Sequence, residues 1–171
     1  MYGYALDIAV QGGCPALVPA ASYYADGRKI VIWDKSGLMD VSGAFRSCLK
    51  ASGGQSFEAM RRLTIKMLSA AGCAWDWLIP SCCLDTAPDQ ICFTPKTGQV
   101  LYCVRPSEEL DCINTVITEE GSVLILDAAM DIAQEYAPSF SRSLQRIKKE
   151  ALERRSASRH IIRRLELIPL G

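Results

Sequence analysis

Residues 56–72 constrain the fold more than any other stretch. Phe57, Met60, Leu63, Met67, Leu68 and Ala71 recur at three- and four-residue spacing, with Arg61, Arg62 and Lys66 between them. That period puts one apolar stripe against a core and leaves the charged side to solvent. Ser56 stands where a side-chain oxygen accepts from an orphan amide of the first turn, and Gly72 is the expected stop. Such a helix needs a partner layer. A chain of 171 residues, 49% hydrophobic and 22% charged, is long enough to supply one within a single compact core. The same composition excludes a chain disordered throughout.

Around this helix the sequence reads as α+β. Residues 4–10 are apolar and β-prone before Gly12-Gly13, which predicts a short first strand. Asp26-Gly27 lies between two β-prone runs, 17–25 and 28–34, and such a pair marks a tight hairpin because both turn positions need positive φ. A short helix is expected at 41–50, ended by Ser52-Gly53-Gly54. Residues 74–80 read as a helical turn and 82–90 as an irregular loop, since Pro80 and Pro88 oppose helix. A second hairpin follows at 91–104, with Pro95 and Gly98 in its turn. Helices are expected at 106–118, where acids follow Pro106, and at 122–137, closed by Pro138. From 141 to 167 the chain is helix-prone, with Leu144, Ile147, Ala151, Ile161 and Leu165 at heptad-like spacing. Arg154 and Ser158 interrupt that stripe, so it falls short of a coiled-coil seam.

The net charge of zero hides a segregation. Residues 1–140 carry 10 Lys/Arg and 16 Asp/Glu, a net of −6, whereas residues 141–171 carry 9 and 3, a net of +6. The division predicted is an α+β domain at 1–138 and a basic helical arm at 139–171. No apolar run reaches the roughly 20 residues that cross a bilayer. The N-terminal segment lacks the positive start and apolar run of a secretory signal, which makes the cytoplasm the expected compartment. The eight cysteines then read as core thiols: Cys92 and Cys103 sit in apolar patterns, and without export the surroundings are reducing. No Cys-x-x-Cys pair occurs and the one histidine is remote, so neither a metal site nor any cofactor is implied.

Two segments carry a resemblance. ALVPAASYYADGRKIVIWDKSGLMDV (16–41) is followed at 56–106 by a helix, an apolar linker, a Pro-acid-polar-Ile run and a hairpin. This order resembles a bacterial domain of unknown function often found ahead of a forkhead-associated (FHA) phosphopeptide-binding domain, over residues 4–137. The chain departs from it by ending in a basic helix. Residues 83–91, Cys-Leu-Asp-Thr-Ala-Pro-Asp-Gln-Ile, also resemble a degenerate protein-kinase catalytic loop. That likeness would place Asp85 at the catalytic base and Gln90 at the magnesium-binding position. Arg105 stands near where the metal-binding aspartate belongs, and a cation there opposes Mg²⁺-assisted phosphoryl transfer. No glycine-rich phosphate loop is present. The resemblance therefore implies a non-catalytic relic, like the pseudokinase-like domains of type VII secretion proteins. The plainer reading of the same residues is a Pro-containing loop entering a hairpin.

No catalytic constellation emerges. His160 is flanked by Arg159, Arg163 and Arg164 and reads as part of a solvated face. Glu108, Glu109 and Asp111 read as helix-dipole complements. The polar feature with a partner class is the arm, where Lys148, Lys149, Arg154, Arg155, Arg159, Arg163 and Arg164 recur. Its candidate partners are a protein surface, including the acidic body of the same or another copy, then nucleic acid or an anionic membrane surface. Nucleic acid ranks below self-association because the arm has no aromatic to stack on bases. The expected function is a non-catalytic interaction or scaffold domain in a signalling or secretion-associated assembly. The alternative is a nucleic-acid-binding regulator acting through the arm.

Overall fold

The structure, a computed structural model, describes residues 2–105, 120–154 and 158–169. These residues form six helices and two antiparallel sheets of two strands each, an α+β fold. The helix expected at 106–118 lies outside the described residues, as does Cys112. No helix among the described residues is long and apolar enough to cross a membrane.

The first element overturns its expectation. Residues expected as a strand form helix α1 (Tyr2–Gln11). Ala5, Leu6, Ile8 and Ala9 are buried while Tyr4, Asp7 and Val10 are exposed. A strand would have put Asp7 on the same face as Ala5 and Ala9; the helical period turns the carboxylate outward. The first hairpin forms as read, β1 (Ala20–Ala25) paired with β2 (Arg28–Trp33). Asp26 and Gly27 hold φ of 51° and 74°, as a tight turn matching the twist of the strands requires. Much of its surface meets solvent, with Tyr23, Tyr24 and Ile32 exposed.

Helix α2 (Val41–Ala51) begins at Asp40, whose carboxylate accepts from the Gly43 amide at 2.7 Å. Val41, Ala44, Phe45 and Cys48 form its buried face. Helix α3 (Ser56–Asp76) is the axis of the molecule, 21 residues and about 31 Å long at the α-helical rise. Met60, Leu63, Met67, Leu68 and Ala74 are fully buried along it. Ser56 does not cap α3: it is the first helical residue, after Gln55, and no side chain caps the helix start.

Gly72 does not end α3 either. The helix runs on through 73–76, and its stop is a Schellman arrangement. The Leu78 amide donates to the Trp75 carbonyl at 2.8 Å and the Ile79 amide to the Ala74 carbonyl at 3.0 Å. The left-handed position is filled by Leu78, with φ of 58°. Helices α1 and α2 end in the same bonding pattern, but with Gly12 and Gly53 in the left-handed place.

A 3-10 turn at Ser81–Cys83 leads to the second hairpin, β3 (Ile91–Phe93) with β4 (Val100–Tyr102). Its strands are buried on both faces. Ile91, Phe93, Val100 and Tyr102 join the main core, and the Tyr102 hydroxyl donates to the Met67 carbonyl at 2.9 Å. The opposite face packs Cys92, Leu101, Cys103 and Val18 into a small second core under Trp33 and Leu38. Isolated bridges from Leu17, Met39 and Leu84 extend this hairpin on its flanks.

Helix α4 (Glu120–Tyr136) runs close to the expected bounds, and Pro138 opens the next helix rather than only closing this one. Residues expected as one basic helix form two, α5 (Pro138–Arg154) and α6 (Ser158–Glu166). The division falls at the interruption in the apolar stripe. Both helices pack on α3, and α5 also packs along α4.

A non-glycine residue in the left-handed region costs about 1–2 kcal/mol, partly offset by the about 0.5–1 kcal/mol entropic cost of glycine. Leu78 is 71% exposed, so little burial is lost with its side chain. Leu78→Gly is therefore expected to stabilise the protein by about 0.5–1 kcal/mol, a rise of about 2–4 °C per kcal/mol for a chain of this size. Calorimetry checks this, and a lower melting temperature would refute it.

Candidate interaction surface

The placement of the basic residues follows from what α5 and α6 bury. Phe140, Leu144, Ile147 and Ala151 on α5, with Ile161 and Leu165 on α6, face inward and belong to the main core. The Phe140 ring meets Phe57 of α3 edge-on, with centroids 5.0 Å apart. One helix face being spent on the core, the basic side chains project from the others.

Polar contacts fix the pair to the body. Glu58, buried near the start of α3, accepts from Arg61 Nε at 2.6 Å and from Arg62 Nε at 2.7 Å. Arg61 Nη1 in turn donates to the Glu166 carbonyl at 2.9 Å, satisfying an orphan acceptor at the end of α6. At the other end of α6, the Ser158 and Ser122 hydroxyls bond to each other. Lys148 Nζ pairs with Asp127 of α4.

The expected surface residues divide three ways. Lys148 is half-buried and turned to the body. Lys149 and Arg164 are exposed but meet carboxylates of their own segment, Glu153 at 4.0 Å and Glu150 at 2.8 Å. Arg154, Arg159 and Arg163 are exposed without a carboxylate partner among the described residues. Arg155 lies outside the described residues. Two residues that sequence reading passed over, Arg142 and Arg146, are equally exposed and lie one turn apart on α5. Their four-residue spacing, with Lys149 three further on, was the available signal.

The kinase-like loop has a different setting. Asp85 accepts from the Ala87 amide at 3.1 Å, and its own amide donates to the Cys103 carbonyl at 2.8 Å, a loop folded on the second hairpin. With Asp127 and Asp131 of α4 and Arg105 it lines an open cleft of about 530 Å³. Gln90 is held elsewhere: Lys35 Nζ donates to its side-chain oxygen at 2.8 Å, and its amide donates to Asp89 at 2.6 Å. With only two-stranded sheets among the described residues, the architecture gives the kinase likeness no support. No group of three His, Cys, Asp or Glu side chains among the described residues is arranged to hold a metal ion. His160 is exposed on α6, as its neighbours suggested.

Five of the described cysteines, Cys14, Cys48, Cys83, Cys92 and Cys103, are buried. Desolvation pushes the Cys103 thiol up to about 12. Burial first, and then the neighbouring Cys82, takes Cys83 up to about 11. Both therefore stay protonated and act as small apolar groups. No family model matches the chain, and neither a curated protein nor a solved structure matches it.

The Glu58–Arg61 bond generates a pH prediction. Hydrogen bonding from Arg61, then from Arg62, outweighs desolvation and holds the Glu58 carboxyl below its ordinary value. Its contribution to stability is thus complete above the ordinary glutamate range and lost as pH falls through the lowered folded value. Glu58→Gln is expected to cost about 2 kcal/mol at neutral pH, the scale of a lost charged hydrogen-bond partner. It should also flatten the acid limb of the stability profile. Urea titrations across the acid range check both, and an unchanged acid limb in the variant would show that Glu58 does not carry it.

Proposed function

We propose that this chain is a non-catalytic interaction module whose α5–α6 face docks on an acidic protein surface, the body of a second copy included. The observation that carries this reading is the one-sided use of the arm. Its apolar face is spent on the core, while Arg142, Arg146, Arg154, Arg159 and Arg163 stand in solvent with no carboxylate partner among the described residues. Cations held on a folded scaffold steer an oppositely charged partner and lose little entropy when it docks.

The resemblance of 16–41 and 56–106 to FHA-adjacent bacterial domains supplies the context, a scaffold in a signalling or secretion-associated assembly. The buried thiols suit a reducing cytoplasm. Phosphoryl transfer finds little to work with, because Asp85 and Gln90 are tied into separate networks. Nucleic acid is the competing partner; guanidinium groups suit phosphates, but α5 and α6 themselves present no exposed Phe, Tyr or Trp for base stacking.

Poly-glutamate and duplex DNA of matched charge serve as probes for the full-length chain. Poly-glutamate is expected to bind in a salt-sensitive way. Joint Arg142→Glu, Arg146→Glu and Arg163→Glu replacement should weaken it about tenfold or more, with the melting temperature unchanged because all three side chains are exposed. Tighter binding of DNA that is lost in the same variant would replace this reading with a nucleic-acid one. Stabilisation by ATP and Mg²⁺, with phosphate release abolished by Asp85→Ala, would overturn the non-catalytic assignment.

A further inference from the structure

A groove of about 690 Å³ runs between the C-terminal half of α3 and the first turns of α4 and α6, within the about 300–1,000 Å³ typical of small-molecule pockets. Leu68, Ala71 and Ile162 supply apolar lining, and Trp75 stands in it 39% exposed. Ser158 and Arg159 line it from α6, with Ser122 of α4 behind.

Three features do not follow from packing. Gly72 lies in the interior of α3, where alanine would be favoured by about 1 kcal/mol. A Cβ there would meet nothing within 4 Å, so no neighbour demands the glycine. Its missing side chain leaves room in the groove. Trp75 keeps a large aromatic surface in the groove instead of burying it. Arg159 is exposed and makes no ion pair among the described residues, although Asp76 lines the same groove.

The hydroxyl pair adds a donor. Ser122 is 3% exposed and bonded to Ser158. Of two hydroxyls sharing one hydrogen bond, one proton is used between them, and the other has no acceptor among the described residues and can donate to a ligand. A guanidinium and a hydroxyl proton next to an apolar, aromatic-lined trough match one ligand chemistry. From this we infer that the groove binds a small amphipathic anion, with a carboxylate, sulfonate or phosphate head on Arg159 and the serine pair, and an aromatic or aliphatic body along Gly72, Trp75 and Ile162. The site shares Arg159 with the α5–α6 face but takes in none of the α5 cations, and it stands whether or not the acidic-partner reading does.

The probe is 1-anilinonaphthalene-8-sulfonate, titrated by fluorescence against the full-length protein, with decanoate below its micelle concentration as competitor. Expected is saturable one-to-one binding displaced by decanoate, weakened about tenfold by Arg159→Glu and by Gly72→Leu. Arg142→Glu, which removes a cation of the other surface, should leave it within about twofold. Arg159 is exposed, so its variant keeps the test decisive if Gly72→Leu fails to fold by circular dichroism. Unsaturable binding, or the same affinity in Arg159→Glu, would overturn the site. So would pelleting with phosphatidylglycerol vesicles without displacement by monomeric decanoate, which would mark a lipid surface instead.

Discussion

The described structure depends on the burial of one long helix. Helix α3 is too apolar along its length to be covered by a single neighbour, and α2, α4, α5, α6 and the second hairpin each take a part of its circumference. Close packing of this kind fixes the order of the layers, because every side chain that meets α3 must fit a surface set by Met60, Leu63, Met67 and Leu68. The second hairpin reaches the same helix through a hydroxyl, Tyr102 on the Met67 carbonyl, so a polar group inside the core is satisfied rather than stranded.

The segregated charge of the sequence has a different meaning in the fold than opposite totals suggest. Electrostatic attraction is not what brings α5 and α6 onto the body. The apolar side chains of Phe140, Leu144, Ile147, Ile161 and Leu165 each contribute about 1.5–3 kcal/mol on burial. A partly exposed pair such as Lys148–Asp127 is worth about 0–1 kcal/mol. Burial therefore decides the docking, and the charges follow where the helix faces send them. Glu58 and Arg61 then fix the end of α6, which sets the direction in which Arg159, Arg163 and Arg164 leave the surface.

What sequence reading recovered is what local rules determine. The face of α3, the two-residue turn at Asp26-Gly27 and the second hairpin were legible because each rests on residues close in the chain. The α1 error came from weighing β-prone composition above the position of Asp7, which only a helical period turns out of the core. The α3 boundary failed for a more specific reason: a glycine sits where helix continues, and a leucine sits where the chain turns left-handed. The basic stretch is not one helix: the apolar stripe lapses at Arg154 and Ser158, and the described helices end at the first and restart at the second. Arg142 and Arg146 are single basic residues, without the doubling at 148–149, 154–155 and 163–164 that makes the rest of the stretch conspicuous in the sequence. The groove was not legible at all, since its walls come from stretches near 70, 81, 122 and 160 that only the tertiary fold brings together.

Gly72 and Leu78 invert the ordinary preferences of the positions they occupy, and they do so within two turns of the same helix. A stability-driven sequence would place alanine at the first and glycine at the second. Local preference yields most readily where a surface has another use. Gly72 and Trp75 line the groove here, and Trp77 and Leu78 follow in the chain with exposed side chains. The opposite end of α3 has no side-chain cap and is held instead by Glu58 and Arg61, bonded across a single turn, with Arg61 anchoring α6. One helix thus has an end governed by anchoring and an end where stability is conceded, and the proposed ligand site lies at the second.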